Sequence, residues 1–264
     1  MILTNDEYLS AARQDVEISK TAARTTIAAQ WFSTFDLAGT PGAGALAVGN
    51  TANGVVRVAG NTGVPRLTAF GVGATGYIMR VGFGNSVACR FSLYDQLFSC
   101  GAYAFNANTS LTSQPDFAGR VPSGDYGGLE LWVEQVTAAT GNQAVNVTYT
   151  DQDGNAGAVT GVVGIGAAPT VGRMWQLPLA AGDSGIQRIQ TIVGSVATVG
   201  TFNVHVMRPL LKNMRVRSAN DSDVFGYMRT GKKQIYDTTA LFLMISPDST
   251  SSGYPSVTVE VANR

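Results

Sequence analysis

Apolar and polar residues alternate with a period of two over two neighbouring stretches near the middle of this 264-residue chain. Across residues 128–136, Leu129, Leu131 and Val133 fall on one side of an extended backbone, with Glu130, Trp132 and Glu134 on the other. After Thr140-Gly141-Asn142, Val145, Val147 and Tyr149 repeat the alternation against Asn146, Thr148 and Thr150. The period, the β-branched and aromatic content and the Gly-Asn break predict an antiparallel hairpin. Asp151-Gln152-Asp153-Gly154-Asn155 predicts a further turn into a Val- and Gly-rich run.

The same reading predicts strands at residues 55–58, 66–70, 77–81, 87–94, 102–105, 159–165, 173–179, 186–193, 202–211, 241–246 and 257–261. Many short strands separated by turn signals indicate an all-β protein, an antiparallel β-sandwich or jelly-roll-like domain. The beginning of the chain reads differently. Thr4 and Glu7 have capping-box spacing, and Tyr8, Ala12, Val16 and Lys20 follow at four-residue steps, which predicts a short N-terminal helical arm running to about Arg24. Its apolar stripe is thin, so the arm is expected to lie against something outside its own domain. The implied division is an arm over 1–30, a Gly-rich bridge with the first strands over 31–85, and the sandwich over 86–264. Trp31 and Phe32 open the bridge as an aromatic clasp.

Charge changes the picture in one respect. Charged residues make up only 14% of the chain and cancel, with 18 basic and 18 acidic residues. No bulk attraction to nucleic acid or to an anionic membrane follows. The charges are nonetheless segregated along the sequence. Residues 91–155 carry Asp95, Asp116, Asp125, Glu130, Glu134, Asp151 and Asp153 against Arg120 alone. Residues 208–233 carry Arg208, Lys212, Arg215, Arg217, Arg229, Lys232 and Lys233 against Asp221 and Asp223. These seven bases, with Trp31 and Phe32, are the candidate partner-contact residues. A basic loop of one copy meeting an acidic face of another would repeat around a ring or lattice. A nucleic-acid role is disfavoured, because Asp221 and Asp223 dilute the field.

Several strings imitate chemical motifs without their context. Gly71-Val72-Gly73-Ala74-Thr75-Gly76 has dinucleotide-loop spacing, but strand-like Tyr77-Ile78-Met79 follows where a helix is required. Gly182-Asp183-Ser184-Gly185 resembles a serine-protease string, yet the sole histidine, His205, lies downstream of that serine. Residues 151–155 resemble the start of a calcium loop, but Ala156 and Val162 stand where a Gly and a bidentate Glu are needed. Two cysteines, Cys89 and Cys100, make neither a disulfide framework nor, with one histidine, a structural zinc site. The expectation is no enzyme, no cofactor and no metal. The first residues show no basic-then-apolar leader, and the uncharged runs are broken by polar residues, so no membrane association is expected.

Leu93-Tyr94-Asp95-Gln96-Leu97-Phe98, Gly128-Leu129-Glu130-Leu131-Trp132-Val133-Glu134, Val147-Thr148-Tyr149-Thr150-Asp151-Gln152-Asp153-Gly154, residues 176–185 and Arg208-Pro209-Leu210 follow one another in this order. Together these five strings resemble a group of tailed-bacteriophage virion proteins. The resemblance covers most of residues 85–211, and its strings are structural rather than catalytic. It implies a structural protein made in the cytoplasm of an infected bacterium and located in the virion, bound to other virion proteins (the major capsid protein or neck or tail proteins); a homo-oligomer is expected as well. A capsid decoration or cement protein that staples neighbouring capsid subunits is the expected role. The alternative is a receptor- or glycan-binding module of a tail or neck, with Trp132 and Trp175 as stacking platforms. A hydrolase ranks third.

Overall fold

The computed structural model describes residues 4–164, 170–194 and 199–264. Among them the chain forms two short α-helices, two single-turn 3-10 helices (Ala118–Arg120 and Pro122–Gly124) and eighteen strands. Helix α1 (Asn5–Ser10) leads into β1 (Ala12–Lys20), β2 (Trp31–Ser33), β3 (Gly39–Thr40), β4 (Asn50–Val56), β5 (Gly76–Asn85) and β6 (Cys89–Ala104). Then come β7 (Asn108–Ser110), β8 (Glu130–Thr137), β9 (Ala144–Asp151), β10 (Ala156–Val159), β11 (Val163–Gly164), β12 (Arg173–Leu177) and β13 (Ile186–Gly194). The chain ends with β14 (Thr201–Val216), β15 (Asp221–Phe225), α2 (Tyr227–Thr230), β16 (Gln234–Ile235), β17 (Leu241–Pro247) and β18 (Ser256–Asn263). All strand pairings between these elements are antiparallel. The fold is all-β with a short N-terminal helix.

One sheet closes on itself. Its strands run β14-β8-β12-β2-β17-β6, and β6 pairs back onto β14, so six strands form a ring with β4 attached to β6. Small rings of strands are filled by side chains rather than left hollow. Tyr94, Trp132, Met174, Met207, Phe242 and Met244 make up the filling, joined by Phe35, Leu46 and Val64 from the Gly-rich connecting segments. The alternate residues of the same strands face outward into two further cores.

These cores divide the two 16-residue strands β6 and β14 between them. Toward one end, Leu97, Phe98 and Cys100 of β6 and Phe202, Val204 and Val206 of β14 pack with Val145, Val147 and Tyr149 of β9 and Ile186, Ile189 and Ile192 of β13. Toward the other, Phe91 and Leu93 of β6 and Leu210, Leu211 and Met214 of β14 pack with Val16, Ile18, Ile78, Val257, Val259 and Val261. The second group comes from the sheet β15-β5-β18-β1-β3. Register shifts between β6 and β14 bend both strands where they pass from one core to the other.

Three sequence expectations are corrected. Strands β8 and β9 do not form a hairpin: β8 pairs with β12 and β14 in the ring, whereas β9 pairs with β10, β11 and β13 in another sheet. Leu129, Leu131 and Val133 meet Val145, Val147 and Tyr149 across the core rather than edge to edge. The helix predicted to about Arg24 is confined to Asn5–Ser10, where the Thr4–Glu7 capping box is present. From Ala12 the chain is a strand paired along its length with β18 and with β3, so this segment is part of a sheet, not an external arm. Residues 66–70 form no strand. Ile165, at the end of the expected 159–165 strand, lies outside the described residues.

Candidate functional site

The structure scatters the seven candidate bases over β14, the residue just past it, α2 and the turn after α2, and brings two of them onto acids from the acidic half of the chain. Arg208 reaches Asp95 of β6 at 3.2 Å and donates to the Gln234 carbonyl at 2.9 Å. Lys212 contacts Glu130 of β8 at 2.6 Å. Both pairs join strands that hydrogen-bond to β14, so the segregation seen along the sequence is largely cancelled in space. Arg215 and Asp248 approach to 3.7 Å and Arg229 and Asp223 to 3.8 Å, each pair exposed and of small energetic weight. Arg217 and Lys233 are exposed, and the Lys232 ammonium lies 5.5 Å from the Tyr227 ring. Trp31 is half-buried, but Phe32 is fully buried among core residues and cannot reach a partner.

Four of the seven acids are likewise withdrawn from the surface. Asp95, Glu134 and Asp151 are buried, and Glu130 accepts from Tyr94 at 3.1 Å, Trp132 at 2.8 Å and Lys212. Asp116, Asp125 and Asp153 stay exposed. An acidic face built from residues 91–155 therefore does not form.

A different surface emerges around the same segment. Strand β15 is the outermost strand of its sheet, and Asp221, Ser222, Asp223 and Val224 are all exposed. Immediately after it, α2 presents Tyr227 and Met228, the latter 81% exposed. The Arg229 guanidinium stacks 3.6 Å above the Phe225 ring and holds the helix against the strand. An exposed strand edge with Val224, Tyr227 and Met228 beside it is an uncommon exposure for a chain with few charges. In the sequence, the only signal for it is a Tyr-Met pair framed by Gly226 and Gly231 within a basic stretch.

The groups that could carry chemistry are taken up internally. His205 projects into the ring, where Nε2 lies 3.1 Å from Glu134 and Nδ1 meets Ser99 at 2.8 Å and Gln96 at 3.0 Å. Glu134 also accepts from Asn203 at 3.2 Å. Burial raises the Glu134 carboxyl, but the hydrogen bond and charge of His205, with bonds from Ser33 and Asn203, outweigh it and leave the group below its ordinary range. Ser184 lies in a turn, its amide donating to Gln152, and Asp183 accepts from Tyr149 at 2.5 Å. Residues 71–75 form a turn closed by the Ala74 amide on the Gly71 carbonyl, and β5 begins at Gly76. Asp151 is occupied by its own turn: the amides of Asp153 and Asn155 and the Asn155 side chain donate to it, and the Asn155 side chain leads in holding its carboxyl below the usual range. Both cysteines are free and buried, with burial pushing the Cys89 thiol up to about 11 and Cys100 up to about 12. Trp132 and Trp175 are buried and offer no stacking platform. Among the described residues no helix is long and apolar enough to cross a membrane, and no group of three metal-ligating side chains occurs.

No family model matches the chain, and no curated protein matches it. Alignments with solved structures reach viral capsid proteins. The infectious bursal disease virus Gx strain structure is 10% identical, with 96% of this chain and 80% of that chain covered and a TM-score of 0.16. The T=1 particles derived from infectious bursal virus give 10% identity, 96% and 77% coverage and a TM-score of 0.19. VP1 of trichodysplasia spinulosa-associated polyomavirus, solved with 3'-sialyllactose, gives 9% identity, 97% and 96% coverage and a TM-score of 0.19. Likeness at this level carries no argument about this chain.

Proposed function

We propose that the protein is a non-enzymatic structural component of a phage particle, a capsid decoration or cement protein that staples neighbouring capsid subunits. The observation that carries this reading is the open edge of β15 with Val224, Tyr227 and Met228 exposed beside it. A strand edge in this state is stable in solution only if charge or a covering partner prevents pairing, and Arg217, Asp221, Asp223 and Arg229 supply the charge here. Covering that edge on a particle would bury apolar surface at about 25 cal/mol per Å². The resemblance of residues 85–211 to phage virion proteins supports the same reading. So does the internal use of His205, Glu134 and both cysteines, which leaves the surface to contacts rather than chemistry. Burial of Trp132 and Trp175 removes the feature that favoured a glycan-binding module.

The test is a quantitative inventory of purified particles, combined with a Val224→Glu, Met228→Glu variant. Hundreds of copies per particle, with occupancy lost in the variant, is the expected result. Six or twelve copies would place the protein in a neck or tail and end the cement reading.

A further inference from the structure

A cleft of about 370 Å³ opens beside the junction of the two outer cores, lined by Pro122, Asp125, Gly128, Arg208, Lys232 and Lys233 among others. Its electrostatics follow from how the strands beneath it are joined. On β6, Asp95 lies between Leu93, which belongs to one core, and Leu97, which belongs to the other. On β14, Arg208 lies opposite Asp95 in register, between Val206 and Leu210. Asp95 is fully buried and faces two guanidiniums, Arg208 at 3.2 Å and Arg120 at 3.5 Å.

One carboxylate cannot neutralise two guanidiniums. Arg120 is further held by the carbonyls of Gln96, Leu97 and Thr238, at 2.8–2.9 Å, which stabilise the cation but add no formal negative charge. Burial lowers the Arg120 pKa, and the nearby Arg208 charge lowers it further while Asp95 opposes both. A net positive charge therefore sits under the cleft in a low-dielectric setting, where its field is weakly screened. Lys233 adds a further exposed cation on the wall, against the single carboxylate of Asp125.

We propose that this cleft binds the carboxylate of an acidic peptide segment from a neighbouring protein. Peptide is favoured over nucleic acid because a phosphate track needs successive free cations along a groove. Lys212, Arg215 and Arg229, the nearby bases of the same segment, already face Glu130, Asp248 and Asp223. The site goes beyond the cement reading and relies on it only for which protein supplies the segment.

The experiment uses the isolated full-length chain, with binding of acetyl-Gly-Glu-Glu-Gly-amide followed by NMR or calorimetry. Saturable binding is expected, at least about tenfold weaker in Lys233→Glu, whose side chain is exposed and whose exchange spares the fold. Asp125→Asn keeps the acceptor for the Gly127 amide, removes the opposing charge and is expected to tighten binding about twofold to fivefold. Equal binding of the Gln-for-Glu peptide, indifference to Lys233→Glu, or displacement by a short oligonucleotide at lower concentration than the peptide itself would each overturn the proposal. Because the free chain is measured, failure here leaves the particle inventory unaffected, and the reverse holds too.

Discussion

Glu134 Oε2 and His205 Nε2 lie 3.1 Å apart inside the ring of strands, with both side chains 2% exposed. They sit on adjacent strands and, with Gln96, Ser99 and Asn203, are the polar centre of a filling rich in aromatic and Met side chains. Removing one partner of such a pair leaves the other desolvated and unmatched. His205→Ala is expected to cost about 3–5 kcal/mol in urea unfolding, and Glu134→Ala a similar amount. Replacing both by Leu should cost clearly less than the sum of the two single losses. Additive losses would show that the two residues are not energetically coupled.

Acid should loosen the protein through the same carboxylate. The folded-state pKa values of Glu134 and Glu260 are both depressed: burial raises each, and hydrogen bonds from His205 to one and from Tyr8 and Arg80 to the other outweigh it. A depressed carboxyl contributes stability that is complete above its ordinary range and is lost as pH falls through the folded value. Urea midpoints should therefore drop below about pH 4.5. The drop should be smaller in Glu134→Gln than in the parent chain. Parallel pH profiles for the two proteins would count against the assignment.

Lys20 should likewise raise stability with pH, but at alkaline pH. It is 3% exposed and donates to the carbonyls of Leu37 at 3.1 Å and Pro41 at 2.9 Å. Burial pulls its pKa down to about 8 from 10.5, against an opposing effect of Asp36. The unfolded chain then binds this proton more tightly than the folded one, so stability rises from about pH 8 towards 10.5. Relative to Lys20→Met, the parent should gain about 1–3 kcal/mol across that window. A constant difference between the two would show that Lys20 titrates normally.

Truncation separates α1 from β1. Deleting residues 1–10 removes a helix whose Tyr8 donates to Glu260 at 2.6 Å and packs with Ala11 on Tyr77, Met79 and Ala262. Circular dichroism and a cooperative unfolding transition should survive that loss. Deleting residues 1–30 also removes β1, uncovers the edge of β18 and takes Val16 and Ile18 out of the core, each contributing about 1.5–3 kcal/mol. The shorter chain should be insoluble or unfolded; a soluble, cooperatively folding 31–264 fragment would refute the role given to β1.

The sequence by itself determined the class of the protein and the facing of its strands. Alternation put Leu129, Leu131 and Val133 on one face of their strand and Val145, Val147 and Tyr149 on one face of theirs, and both sets are buried together. It located β5, β6, β12, β13, β14, β17 and β18 to within a few residues, except that β6 and β14 run on well beyond the segments expected for them. Turn chemistry at 71–76 and 151–155 was legible because glycine and short polar side chains act within a few residues of themselves.

Tertiary structure decided what long-range pairing alone can decide. Two strands joined by a short loop bury the same side chains whether they pair in one sheet or face each other across a core, so alternation could not separate a hairpin from the crossing of β8 to β9. Residues 12–20 carry a helical spacing and a strand spacing at once, with Val16, Ile18 and Lys20 alternating as well as Tyr8, Ala12, Val16 and Lys20 stepping by four. Pairing with β18, more than two hundred residues away, settled it, because tertiary hydrogen bonds and burial outweigh a propensity of a few tenths of a kcal/mol per residue. The same limit hid the cleft. Asp95, Arg120 and Arg208 are separated in sequence: the pairing of β6 with β14 sets Arg208 on the buried carboxylate, and the connection between β7 and β8 brings Arg120 to the same group.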